Sequence, residues 1–171
     1  MTSEEILKRL QDQFGEAILG TDDSSEDLTV KVAAGSLLEV SRFCRDDSEL
    51  SFDLLSLVSG VDWTDRMESV MHLDSTAHKH HLVIKVDCDR ESPRCPSVVE
   101  VWNAADWHER ETYDMFGIIY EGHPNLVRIL CAEDWEGYPL RKDYLMPDEY
   151  HGIPNDFQQA GKRPQKYNPR G

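Results

Sequence analysis

Residues 67–86, MESVMHLDSTAHKHHLVIKV, decide the fold class. Apolar and polar side chains alternate through Met67–Leu73 and again through His81–Val86, the period-2 pattern of half-buried strands. The polar DSTAHKH between them is a hairpin connection. After the ESPRCP turn, Ser97–Trp102 reads as a third strand, so the three are expected to form an antiparallel meander. Ala104–Phe116 then has helical composition and stops at Gly117, a residue free to adopt the left-handed C-cap conformation.

Working toward the N-terminus, FDLLSLVSGVDW (residues 52–63) is a short apolar run ended by Gly60 and is expected to be a brief helix and turn, although a run of this length does not separate helix from strand. Ser36 and Glu39 have capping-box spacing for a helix with Leu37, Val40, Phe43 and Cys44 inward. LTVKVAA, residues 28–34, alternates as a strand after the polar loop 20–27. Thr2 and Glu5 form another capping box, opening a helix that carries Ile6, Leu10, Phe14 and Ile18. Strands bracketed by helices predict an α+β two-layer sandwich, with helices packed on a mainly antiparallel or mixed sheet.

Toward the C-terminus the chain changes character. Six prolines from Pro124 to Pro169, with Gly137, Gly152 and Gly161 between them, forbid long regular elements. Trp135, Tyr138, Tyr144, Tyr150, Phe157 and Tyr167 are too many aromatics for a solvated linker, and they suit anchoring at a protein interface. The expected organisation is an α+β core over residues 1–125 and an extended, Pro/Gly-rich, partner-wrapping tail over 126–171.

Composition removes several function classes. A formal charge of −15 leaves little basic surface for nucleic acid or anionic lipid, so membrane association is expected only through a partner. No apolar run is long enough to span a bilayer, and MTSEEILKRL lacks the form of a signal peptide. Four cysteines without a C-x-x-C pair do not make a disulfide framework or an iron–sulfur site, and reduced thiols are expected. No glycine-rich phosphate cradle is present for NADH, flavin nucleotide or ATP. His78, His80 and His81 could converge on zinc or copper, but no nearby cysteine or spaced carboxylate completes a site, and a solvated hairpin tip is the plainer reading. His108, Glu111 and Thr112 share a predicted helix face that resembles an acid/base group yet lacks the second histidine of a zincin. Carboxylates on that helix are expected to pair with Arg128, Arg141 or Lys142. Arg128 itself could fork onto a partner's carboxylates or satisfy local carbonyls.

ERETYDMFGIIYEGHPNLVRILCAEDWEGYPLRKD, residues 109–143, holds charges, aromatics, glycines and prolines at spacings that neither helix nor strand periodicity requires. Glu109, Arg110, Glu111, Asp114, Phe116, Gly117, His123, Pro124, Arg128, Gly137, Pro139, Arg141, Lys142 and Asp143 fall in order on a signature. That signature resembles the 30 kDa subunit family of respiratory complex I, the NADH-quinone oxidoreductase. The resemblance implies a non-catalytic, cofactor-free scaffold subunit of the hydrophilic arm, with these residues as structural or partner-interface groups and none catalytic, cofactor-binding or metal-binding. It implies contact with the 49 kDa-type, hydrogenase-like subunit, and FMN and iron–sulfur clusters in partner subunits. It further implies proton-translocating electron transfer from NADH to quinone, and a peripheral position on the cytoplasmic face of the bacterial inner membrane. Because the sequence stops at Gly171, the 49 kDa-type partner is expected as a separate polypeptide. The corresponding subunit of a ferredoxin-linked dehydrogenase or membrane-bound hydrogenase is the alternative, and a free-standing metal-dependent enzyme using the histidines ranks third.

Overall fold

The computed structural model describes residues 1–22 and 27–155. Helix α1, Ser3–Phe14, opens on the predicted capping box: Thr2 Oγ1 accepts from the Glu5 amide, and the Thr2 amide donates to Glu5 Oε2 at 2.8 Å. It buries Ile6 and Leu10. Ile18 does not continue that stripe, because the chain turns at Gly15 (φ 49°) and Ile18–Thr21 becomes strand β1. Strand β2, Thr29–Val32, leads through a 3₁₀ turn into α2, Leu37–Asp46, which buries Leu37, Val40 and Cys44 and sets Phe43 edge-on to Phe14. The second capping box does not form. Ser36 already has right-handed helical dihedrals (φ −107°, ψ −2°), whereas a capping hydroxyl reaches the next amides only from an extended residue.

The meander exists, with a different third member. Strands β4 (Arg66–Asp74) and β5 (His81–Asp89) pair antiparallel as expected, but β4's other neighbour is β3, Leu54–Asp62, the run expected to be helical. A bulge between Leu55 and Leu57 breaks its alternation and hides the strand period. Gly60 does not end the element; it marks a close approach, since a Cβ there would lie 2.7 Å from the Phe116 ring. Ser97–Trp102 is not a strand. Only Arg94–Pro96 (β6) is extended, pairing parallel with β7, Ile119–Glu121. The following residues turn inward, with the Val98 amide bonded to the Glu109 carboxylate rather than to a neighbouring strand, and with Trp102 Nε1 donating to the Phe52 carbonyl at 2.9 Å.

The five-stranded sheet runs β1-β2-β5-β4-β3, antiparallel except for the parallel β2–β5 pair, a mixed sheet as the α+β reading allowed. Met67, Met71 and Leu73 of β4 and Leu82, Ile84 and Val86 of β5 share one face and form a single core with the apolar faces of α1 and α2. Helix α3, Ala105–Phe116, lies over β3 on that face. The opposite face is mixed, with Val70 and Val83 buried on it and Lys31 within 3.8 Å of Glu68 and 3.5 Å of Asp87. Residues 122–155 contain only the small hairpin of β8, Glu149–Tyr150, and β9, Ile153–Pro154, as regular structure. The predicted anchors Phe157 and Tyr167 lie outside the described residues.

Candidate partner-docking site

Helix α3 ends at Gly117 in the left-handed conformation (φ 77°), as its sequence suggested, and its terminal carbonyls must find donors outside the helix. The signature segment supplies them. Gly117 N–H donates to the Tyr113 carbonyl at 2.8 Å, Arg128 to the Asp114 carbonyl at 3.3 Å, Leu140 N–H to Met115 at 3.0 Å and Arg141 Nε to Phe116 at 2.6 Å. Two arginines at a helix C-terminus also match the sign of its dipole.

Asp114 organises the next layer. Fully buried on the last turn of α3, it accepts from the amides of Ile129, Leu130 and Cys131 at 3.0, 2.7 and 2.8 Å, and from Arg128 at 2.6 Å. Burial alone would raise its pKa, but the three amides and the guanidinium prevail and hold it at about 2. Arg128 also donates to the Gly137 carbonyl, which orients the following turn. Tyr138 then lies over Gly117, where any Cβ would be 2.5 Å from its ring, and Arg128 and Arg141 sit 5.3 and 4.8 Å from the ring centroid. The two readings of Arg128 are thereby resolved toward local partners: one carboxylate and two carbonyls of its own chain.

The far end of the signature is fastened to the β3–β4 turn. Asp62, buried at the end of β3, accepts from the Lys142 amide at 2.9 Å, the Thr64 amide at 2.8 Å and the Arg90 guanidinium. Burial opposes its charge, yet Arg90 and the two amides keep its pKa below the usual carboxylate range. Arg90 bridges on to Asp143 at 3.1 Å, and Lys142 Nζ stands 6.0 Å from the Trp63 ring centre. These receptors, Asp62, Trp63 and Arg90, were not singled out in the sequence. Their one signal was an acid and a tryptophan closing an apolar run.

The remaining signature residues divide. Glu109 is fully buried, accepting from Ser97 Oγ at 2.7 Å and the Val98 amide at 2.8 Å, and burial pushes its pKa up to about 7. It fixes the turn before α3 and faces no solvent. The His123 side chain is enclosed; its Nδ1 accepts from the Asn125 amide, so Nε2 carries the proton and donates to the Asp106 carbonyl at 3.2 Å. Arg110 donates to the Val127 carbonyl and lies 5.5 Å from the Trp107 ring centre. Phe116 packs against the core, Pro139 is half-buried, and Glu111 is exposed. The suggested His108/Glu111/Thr112 face does not assemble, since Thr112 turns inward against the Val58 carbonyl while Glu111 points to solvent.

Of the hairpin-tip histidines, His78 and His81 are exposed, as the plainer reading expected, and only His80 is buried. His80 is buried against Phe52 with Nε2 2.6 Å from the Leu50 carbonyl, His78 Nε2 lies 3.0 Å from the Ser48 carbonyl, and His81 bonds Asp74. His78 and His80 tie the β4–β5 connection to the loop before β3, while the His81 contact stays within the hairpin. Among the described residues no group of three His, Cys, Asp or Glu is placed to hold a metal ion.

With its internal side so anchored, the segment turns apolar groups outward. Val127, Leu130, Leu140, Leu145, Met146 and Ile153 are each at least 47% exposed. Such a concentration of exposed apolar side chains marks a surface suited to another protein.

Residues 30–150 match the family model described as respiratory-chain NADH dehydrogenase, 30 Kd subunit. The chain is 47% identical over 148 residues to an NADH-quinone oxidoreductase subunit of Chloroherpeton thalassium, an alignment spanning 84% of this chain and 61% of that relative. Its fold is similar to a chain in the membrane-bound sulfane sulfur reductase, an archaeal respiratory membrane complex (TM-score 0.71, 28% identity, 84% of this chain and 85% of the other). It is also similar to a trypsin-resistant fragment of Nqo5, residues 1–134 (TM-score 0.63, 26% identity, 74% of this chain and 100% of the fragment).

Proposed function

This chain belongs to the 30 kDa subunit family of respiratory-chain NADH dehydrogenase, and from that membership we propose that it is a non-catalytic scaffold subunit of a proton-translocating NADH:quinone oxidoreductase. The observation that carries the reading is the use made of the signature: Asp114, Arg128, Arg141 and the Lys142 amide bond within the chain, while Val127, Leu130 and Leu140, with Leu145, Met146 and Ile153 just beyond them, face outward. A segment shaped this way positions a neighbour rather than a substrate. The neighbour in this reading is the 49 kDa-type subunit, with residues 126–171 lying along it. FMN and iron–sulfur clusters reside in other subunits and carry electrons from NADH to quinone. No helix among the described residues is long and apolar enough to cross a membrane, which accords with peripheral attachment through the complex at the cytoplasmic face of the inner membrane.

Likeness to a chain of the sulfane sulfur reductase favours a second reading, in which the same scaffold serves a respiratory membrane complex with a different electron donor. Native affinity purification in mild detergent, with mass spectrometry of the recovered proteins, separates the two. Recovery with a 49 kDa-type subunit and NADH-binding flavoprotein subunits is the expected result. Recovery with the former but not the latter supports the second reading. Recovery of the chain alone overturns both.

A further inference from the structure

A pocket of about 270 Å³ opens where the β8–β9 hairpin folds back on residues 134–136. Two of its walls are aromatic, Trp135 and Tyr150, with ring centroids 5.4 Å apart. Asp134 holds the hairpin in place, accepting from Tyr150 Oη at 3.0 Å and lying 2.7 Å from His151 Nε2. Glu136 and Glu149 also line the pocket, are exposed, and form no salt bridge within the described residues. Two exposed carboxylates beside two aromatic rings repel an anion and leave an apolar occupant facing uncompensated charge. A cation gains from both, through Coulomb attraction and through the ring quadrupoles. The pocket is also continuous in the chain with the exposed Leu145, Met146 and Ile153, which belong to the proposed docking surface.

We propose that this pocket seats a lysine or arginine side chain of the adjoining subunit. The proposal rests on the docking reading above and adds to it the chemistry of one contact. The apolar residues of the segment would supply area, and the buried cation would fix register, as electrostatic complementarity does at other interfaces.

The test uses the assembled complex, purified from cells carrying Glu136→Gln together with Glu149→Gln, and follows release of the chain across a sodium chloride series. Neither side chain is hydrogen-bonded within the described residues, so the double variant keeps the fold. Glu4→Gln with Asp12→Asn, on the exposed side of α1, removes the same charge elsewhere. The expected result is roughly tenfold weaker retention at low salt for the pocket variant, a gap that closes at high salt, and no change for the α1 control. Identical salt profiles for wild type and pocket variant overturn the proposal. So does an equal loss in the α1 control, which means a general charge effect. Reproduction of the loss by neutralising Lys162, Arg163, Lys166 and Arg170 overturns it too, by making the cation the chain's own. Failure of the wild-type chain to co-purify with any subunit is distinguishable from all of these and overturns the docking reading itself.

Discussion

Replacing Asp114 with asparagine tests whether one carboxylate holds the signature segment against the core. The aspartate takes three amides on one oxygen and a guanidinium on the other, with no solvent exposure. Asparagine keeps one oxygen and turns an N–H₂ group toward either the amides or Arg128, so donors face donors on one side. Breaking a buried ion pair from one side costs about 3–5 kcal/mol in comparable sites. The titrating part follows separately from a pKa of about 2 against an ordinary 3.8, which corresponds to about 2 kcal/mol. Because the folded pKa is depressed, this part is fully present above pH 4 and lost as pH falls toward 2. In Asp114→Asn it is absent throughout. We expect a loss of about 3 kcal/mol in urea unfolding near neutral pH, seen as a midpoint lowered by roughly 1–2 M. If the segment detaches before the core unfolds, the loss appears instead as faster amide exchange at 129–131. An unchanged midpoint together with unchanged protection of those three amides would show that the carboxylate is not the anchor.

Glu109→Gln should abolish a pH dependence. The folded pKa of about 7 lies above the ordinary 4.5, so wild type loses about 3 kcal/mol as pH climbs through that interval, and thermal melts at pH 5 and 8 should converge in the variant. A slope that persists in Glu109→Gln assigns it to other groups. Gly117→Ala combines a left-handed backbone with a Cβ driven into Tyr138 and should cost about 2 kcal/mol or more. Gly122→Ala, at φ 87° with open space around it, should cost only about 1 kcal/mol. Equal costs in chemical denaturation would mean that the Tyr138 contact contributes nothing. Asp62→Asn should leave the core folded yet loosen the Lys142 amide from the β3–β4 turn, read as faster tryptic cleavage after Arg141 and Lys142. Unaltered cleavage would mean that the turn does not restrain the segment.

Local rules located the three helices and the strands β2, β4 and β5, and they failed where a distant partner had taken over a group. The first capping box, β2, β4, β5 and the glycine stop of α3 involve only neighbours in the chain, so spacing reveals them. Ser36 fails as a cap because it is itself the last residue of the 3₁₀ turn, and β3 was obscured by a bulge. Ser97–Trp102 has the valine-rich composition of a strand, but Glu109 on α3 claims the Val98 amide. In the signature, Asp114 and Arg128 could be expected to pair, since a carboxylate on a helix and an arginine past a turn need one another. That the carboxylate would also collect three successive amides depends on the path of the backbone.

Composition, periodicity and the ordered spacing of residues 109–143 determined by themselves the α+β class, the three helices and the strands β2, β4 and β5, and the family to which this chain is similar. These properties are written in nearest neighbours or in a pattern that survives without coordinates. Tertiary structure alone decided that Asp62, Trp63 and Arg90 receive the end of the signature, that Glu109 is internal, and that six apolar side chains of the segment face outward. Burial and pairing depend on which segments meet across the fold, and a carboxylate in a sequence looks the same whether water, an amide or an arginine waits beside it.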